Sequence, residues 1–199
     1  IRDPEMSRGL GDVYKAEPLA VLLLKIIYQP KVINKQAIPK QGPIIIAGNH
    51  KAYPDPVLVG SCTKRIVHFF IKDVYTNSPL GRFLGVVGVL PVHVGKLHKE
   101  SFETAIELLK NEKSIGIFPE GTRNKTVQLL LPLQKGTTLL AKKTNAKIIP
   151  FAITGKYKPF GGLTIEFGDP IDVANMDTTE ANAILTQKIT ELLLKRTKK

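Results

Sequence analysis

The residues with the most chemistry to offer stand together in Asn49-His50-Lys51-Ala52-Tyr53-Pro54-Asp55. An imidazole can take and return a proton near neutral pH. A carboxylate accepting its other N–H fixes the tautomer and stabilises the imidazolium that forms. On a regular helix a residue five positions on is turned about 140° away, so this spacing demands a tight turn, which Tyr53-Pro54-Asp55 offers. Alone, the pair carries little weight. Roughly one chain in five of this length holds such a pair by composition, and a histidine after a strand is more often a satisfied structural residue.

A second constellation, Phe118-Pro119-Glu120-Gly121-Thr122-Arg123, places a carboxylate, a glycine and a guanidinium where an apolar run ends. Glycine lets backbone approach a ligand closely, and arginine offers a planar fork suited to phosphate. By itself this segment reads as a charged turn; with His50 and Asp55 upstream that reading loses ground. Other chemistries fail by inspection. There is no Gly-x-Ser-x-Gly nucleophile elbow. Gly95-Lys96 lacks the earlier glycine of a P-loop and is followed by Leu97. No Gly-x-Gly-x-x-Gly follows the first strand. His50, His68, His93 and His98 are too scattered for a zinc site, so no metal is expected. With no evident protein nucleophile, attack by a base-activated substrate hydroxyl fits better than a covalent enzyme intermediate.

The elements that must hold these residues alternate. Residues 43–48 read as a short buried β-branched strand closed by glycine, 65–72 as a second strand, 89–94 as a third and 114–119 as a fourth. Further strands are expected at 147–154 and 163–167, the last of them antiparallel. Helices are expected over 56–62, 79–87, 98–112, 136–144 and 179–196; the Pro- and Lys-rich stretch 30–43 reads as a loop. Such alternation argues for a single α/β domain with a mixed, mostly parallel sheet covered by helices on both faces. Ligands then bind beyond the carboxyl ends of the strands, where both constellations fall.

The chain has 199 residues, a net charge of +12 and one cysteine, Cys62. An internal disulfide is excluded, and the charge calls for a polyanionic partner: nucleic acid, an anionic membrane surface or an acidic carrier protein. Nucleic acid is not expected, since the chain has no Trp and no recognition motif. Residues 1–13 read as a flexible or non-native tail with no secretory signal, and 14–30 as an apolar N-terminal helix at a membrane interface. Its apolar core, residues 18–28, is interrupted by Lys25 and is about half of the roughly 20 residues a span needs. Lys15, Lys25, Lys31 and Lys35 surround it, each worth about 1 kcal/mol near an anionic leaflet. The remainder, 31–199, forms the catalytic domain.

These motifs resemble the glycerolipid acyltransferase family that includes the 1-acylglycerol-3-phosphate acyltransferases. The resemblance covers about residues 39–172 in four blocks of matching order: Asn49-His50 through Asp55, Phe118 to Arg123, Leu131-Pro132-Leu133-Gln134-Lys135-Gly136, and Ile148-Ile149-Pro150-Phe151. A further block, Lys72-Asp73 with Gly81 and Gly88, departs from the family at its end, where His93-Val94 replace an acidic residue and arginine. Lys96, Arg82 or Lys72 would then supply the positive charge.

The resemblance implies a glycerol-3-phosphate acyltransferase-like fold and a catalytic His50 oriented by Asp55. Asn49, Lys72, Glu120, Gly121, Thr122 and Arg123 would bind substrate, with Glu120 and Arg123 on the acceptor headgroup and N–H groups near Gly121 on the oxyanion. It further implies acyl-CoA or acyl-carrier protein as co-substrate, with no cofactor. The acceptor would be a lysophospholipid, 1-acylglycerol-3-phosphate first and another lysolipid second. The location would be peripheral, on the cytoplasmic membrane face.

Overall fold

The computed structural model describes residues 22, 24–72, 90–92 and 97–197. The expected tail, the helix at 79–87, and Asp73, Gly81, Arg82, Gly88, His93, Val94 and Lys96 lie outside them.

Seven strands form one sheet: β1 (Lys31–Ile33), β2 (Ile44–Gly48), β3 (Val67–Lys72), β4 (Leu90–Val92), β5 (Ser114–Ile117), β6 (Lys147–Thr154) and β7 (Thr164–Phe167). Their order is β1-β7-β6-β2-β5-β3-β4. All pairs are parallel except β6 with β7. β2 is fully buried because both of its faces are covered, which is why it reads as an unbroken apolar run rather than an alternation. Ile44 and Ile46 enter one core with Ile149, Phe151, Phe69 and Phe167. Ile45 and Ala47 enter the other with Ile148 and Ala152.

Helix α1 (Asp55–Gly60) covers the first face through Val57, Leu58 and Val59. Helices α2 (Leu97–Lys110), α3 (Gly136–Thr144) and α4 (Thr178–Thr197) cover the second, through Ala105 and Leu109, Leu140 and Ala141, and Ala181, Leu185 and Ile189. Burying one such aliphatic side chain contributes about 1.5–3 kcal/mol, so these two layers fix the positions of the strand ends. α3 stops where Asn145 takes a left-handed φ of 52° and returns its N–H to Ala141 O, an αL cap.

Three expectations are corrected. The stretch 30–43 is not only loop: it holds β1 and a 3-10 turn, Lys35–Ala37. The strand expected from 65 begins at Val67, opposite Ser114, where β5 starts; Arg65 instead gives its guanidinium to the carbonyls of Pro39, Gly42 and Glu112. The strand expected to run to 119 ends at Ile117, where the turn through Pro119 begins.

Two described residues of the N-terminal segment pack on the domain. Leu24 is buried in the first core and Tyr28 packs against it, while Leu22, Ile26 and Ile27 stay exposed. Among the described residues no helix is long and apolar enough to cross a membrane.

Candidate active site

β2 delivers the site. Gly48 closes it because a Cβ there would lie 2.3 Å from Phe151 O on β6, closer than any side chain tolerates. Asn49 then continues the pairing with its side chain: Nδ2 donates to Ile153 O at 3.0 Å, and Ile153 N–H donates to Asn49 Oδ1 at 2.7 Å. Asn49 is buried, and its amide extends the β2–β6 ladder by one step.

The next residues turn as the spacing requires. His50 Nδ1 lies 2.8 Å from Asp55 Oδ2. The same oxygen accepts the backbone N–H groups of Lys51 at 2.6 Å and Ala52 at 2.8 Å. Tyr157 donates its hydroxyl to the other oxygen, Oδ1, at 2.6 Å. Four donors thus converge on a carboxylate with no exposed surface. With Asp55 as acceptor, Nδ1 carries the proton and Nε2 presents its lone pair. The imidazole keeps 19% of its side-chain surface exposed. Its ring stacks on Phe118 with centroids 4.1 Å apart and planes 16° from parallel, and Phe118 in turn contacts the rings of Phe69 and Phe151. His50 and Asp55 are therefore rooted in the core.

The second constellation clamps the first. Phe118 O accepts the N–H of Gly121 at 3.0 Å, closing a turn with Pro119 at its first corner and Gly121 at φ 69°, the proline and glycine placements such turns favour. Buried Glu120 accepts the N–H of His50 on Oε1 at 2.8 Å and that of Leu131 on Oε2 at 2.9 Å. His50 O accepts the N–H of Asn124 at 2.8 Å. Glu120 thus has both oxygens engaged by backbone N–H groups. The Gly121 N–H is committed to its own turn, so the amides near it that remain are those of Thr122 and Arg123.

Exposed Thr122 follows, and then Arg123, whose Cζ sits 3.6 Å from the centroid of the Tyr53 ring, a cation–π contact. That stack holds the guanidinium beside the His50 turn, and no carboxylate pairs with it among the described residues. Lys72 is the last residue of β3, at the same edge of the sheet. Among the described residues no group of three or more His, Cys, Asp or Glu could hold a metal.

Sequence reasoning missed Tyr157, which stands 102 positions from the carboxylate it contacts; no local pattern marks it. It also missed Lys51, whose Nζ donates to Gly155 O at 2.7 Å and fastens the His50 turn to the β6–β7 connection.

The fold and site together define a class: an α/β domain carrying a His–Asp pair and a tyrosine-stacked arginine beyond the carboxyl edge of its parallel strands. Residues 29–154 match the family model named Acyltransferase. The chain belongs to that acyltransferase family.

The 1-acyl-sn-glycerol-3-phosphate acyltransferase of Bacillus subtilis is 28% identical over 172 residues, spanning 81% of this chain and 84% of that protein. The protein of the same name from Borreliella burgdorferi is 32% identical over 129 residues, 61% of this chain but only 50% of its own length. The crystal structure of the 1-acyl-sn-glycerophosphate (LPA) acyltransferase PlsC from Thermotoga maritima has the same fold. It aligns with a TM-score of 0.72 at 22% identity, over 100% of this chain and 85% of that one.

Proposed function

We propose that this enzyme transfers a fatty acyl group from a thioester donor, acyl-CoA or acyl-carrier protein, to the free hydroxyl of 1-acylglycerol-3-phosphate. The product is phosphatidic acid. The observation that carries this reading is the His50 ring, with Nδ1 committed to buried Asp55 and Nε2 presented for a proton. His50 Nε2 takes the hydroxyl proton as the oxygen attacks the thioester carbonyl. Asp55 holds the ring and balances the imidazolium charge. The tetrahedral intermediate collapses, the C–S bond breaks, and the imidazolium returns its proton to the departing thiolate. The amides of Thr122 and Arg123, which find no acceptor among the described residues, are the donors we assign to the oxyanion. Base catalysis of this kind contributes about 10²–10⁴-fold and an oxyanion donor about 10²–10³-fold.

Arg123 is the headgroup ligand in this reading, with Lys72, at the carboxyl end of β3, as a second candidate. Its guanidinium is already oriented by Tyr53, so a phosphate gains a bidentate partner at little ordering cost. The exposed apolar residues Leu22, Ile26 and Ile27, with Lys25, Lys31 and Lys35 close by in the chain, bring the site to an anionic membrane surface. One observation favours a second acceptor: His93-Val94 stand where the family carries an acidic residue and arginine, which points to a lysophospholipid with a different headgroup.

A thioester-consumption assay across several lysophospholipids tests both readings, with His50→Ala as control. The expected result is transfer to 1-acylglycerol-3-phosphate, with Arg123→Ala raising its KM about 10–100-fold, the worth of a hydrogen bond to a charged group. Preference for a lysolipid without a phosphomonoester, indifferent to Arg123, would favour the second. Full activity in folded His50→Ala would defeat the assignment.

A further inference from the structure

Three features leave the sheet at one edge. Thr154 ends β6, which runs parallel to β2 and therefore finishes on the side where Gly48 hands over to His50. Thr164 opens β7 opposite Thr154, and Lys31 opens β1 opposite Thr164. The residues leading into β1, the β6–β7 turn and the His50 turn thus share that side.

The segment leading into β1 is helical over residues 24–28. At about 100° per residue, Leu24 and Tyr28 fall on one side and Leu22 and Ile26 on the other. The first pair packs on the core; Leu22 and Ile26 are 52% and 59% exposed.

The β6–β7 turn carries a second apolar tip. Lys156 N–H donates to Gly161 O and Gly161 N–H to Lys158 O, both at 2.9 Å, which closes the turn tightly. Phe160 is 90% exposed and adopts φ 56°, a region that bulky side chains rarely occupy. Exposed Lys156 and Lys158 flank it. The Tyr157 ring meets Tyr28 edge-on at 5.3 Å, so turn and helical segment are joined.

Solvent rewards none of this arrangement: an aromatic tip ringed by lysines, beside a second exposed apolar face. An anionic bilayer rewards both parts at once. We propose that the β6–β7 turn inserts Phe160 into an anionic phospholipid surface while Lys156 and Lys158 bind lipid phosphates, a second membrane contact beside the N-terminal segment. The inference rests on the membrane reading above. It also sets the direction of docking, because the turn that enters the lipid is tied to the catalytic turn through Lys51 and Tyr157.

The chain has no tryptophan, so Phe160→Trp in the full chain places a single reporter at the tip. The probe is vesicles of equal parts phosphatidylcholine and phosphatidylglycerol, with and without brominated acyl chains. The expected result is a blue shift on binding and quenching by bromine. Phe160→Ser should partition about tenfold more weakly, the worth of one buried side chain, and Lys156→Ala/Lys158→Ala should weaken its preference for the anionic lipid. Emission unchanged on vesicles that bind the protein, failure to bind them at all, or a shift with acyl-carrier protein but not with vesicles would each overturn the inference. Transfer assayed on the same variant separates the two readings. Activity without quenching defeats the insertion alone, whereas quenching without activity supports insertion and defeats the acyltransferase reading.

Discussion

The Tyr157 hydroxyl donates to Asp55 Oδ1 at 2.6 Å, across 102 positions of sequence. It leaves Oδ2 to His50 and to the amides of the turn. Tyr157 therefore holds the orienter while touching neither the imidazole nor, on the proposed mechanism, the substrate.

Tyr157→Phe should lower kcat about tenfold or somewhat more with KM little changed, since a hydrogen bond to a charged group is worth about 1.5–3 kcal/mol. Steady-state kinetics on the variant check this. A rise in KM at unchanged kcat would mean that Tyr157 serves binding instead.

Asp55→Asn and His50→Ala should part company in stability. Asparagine turns an N–H₂ toward donors that need an acceptor, leaving buried groups unsatisfied at about 1–3 kcal/mol. At about 2–4 °C per kcal/mol for a domain of this size, its Tm should fall by several degrees. His50→Ala removes a partly exposed ring and should stay near the parent Tm while losing transfer. Thermal melts of the two variants side by side decide it; equal Tm values would contradict the four-donor arrangement.

Glu120→Gln distinguishes clamp from ligand. The amide retains one acceptor for two backbone donors, His50 N–H and Leu131 N–H. Both Tm and kcat should therefore drop while the acceptor KM holds. A raised KM in a variant of unchanged Tm would support the headgroup role.

Alkaline solution should weaken the fold more than its net charge requires. Burial pushes the Cys62 thiol up to about 12. Burial first, and then the Asp55 charge, push the Tyr157 phenol well above the usual tyrosine range. The unfolded chain releases these protons near pH ~8.5 and ~10, while the folded chain keeps them. Above those values the unfolded state binds fewer protons, so stability falls as pH rises. The contribution is intact below about pH 8.5, and the thiol's share is spent by about pH 12. Tm measured from neutral to strongly alkaline pH should fall less steeply in Cys62→Ala/Tyr157→Phe; parallel curves would refute the account.

Much of this was legible because the physics is local. A buried central strand must be apolar on both faces, so Ile44–Gly48 announces itself. Gly136–Thr144 and Lys147–Thr154 begin and end where composition says they should. If His50 and Asp55 meet, their spacing requires the turn, and the second constellation gives reason to think they do. What stayed hidden depends on distant chain. β1 is three residues long, two strand-formers between a lysine and an asparagine, and is held by pairing with β7. Glu120 and Asn49 look like ligands in sequence, since nothing nearby tells that backbone N–H and C=O groups will claim their polar atoms.

The central place of β2 also governs when the enzyme comes into being. His50 and Asp55 leave the ribosome almost together, yet Asn49 cannot complete its amide pairing until Ile153 has been made, 104 positions later. Tyr157 reaches Asp55 later still, and Lys31 waits for Thr164 before β1 has a neighbour. Contacts this remote must overcome loop-closure entropy before they return stability, and they form slowly. A nascent chain truncated before β6 carries the whole His–Asp motif but lacks three of its fastenings, to Ile153, Gly155 and Tyr157. Catalysis by this protein is thus a late product of folding, withheld until nearly four-fifths of the chain is in place.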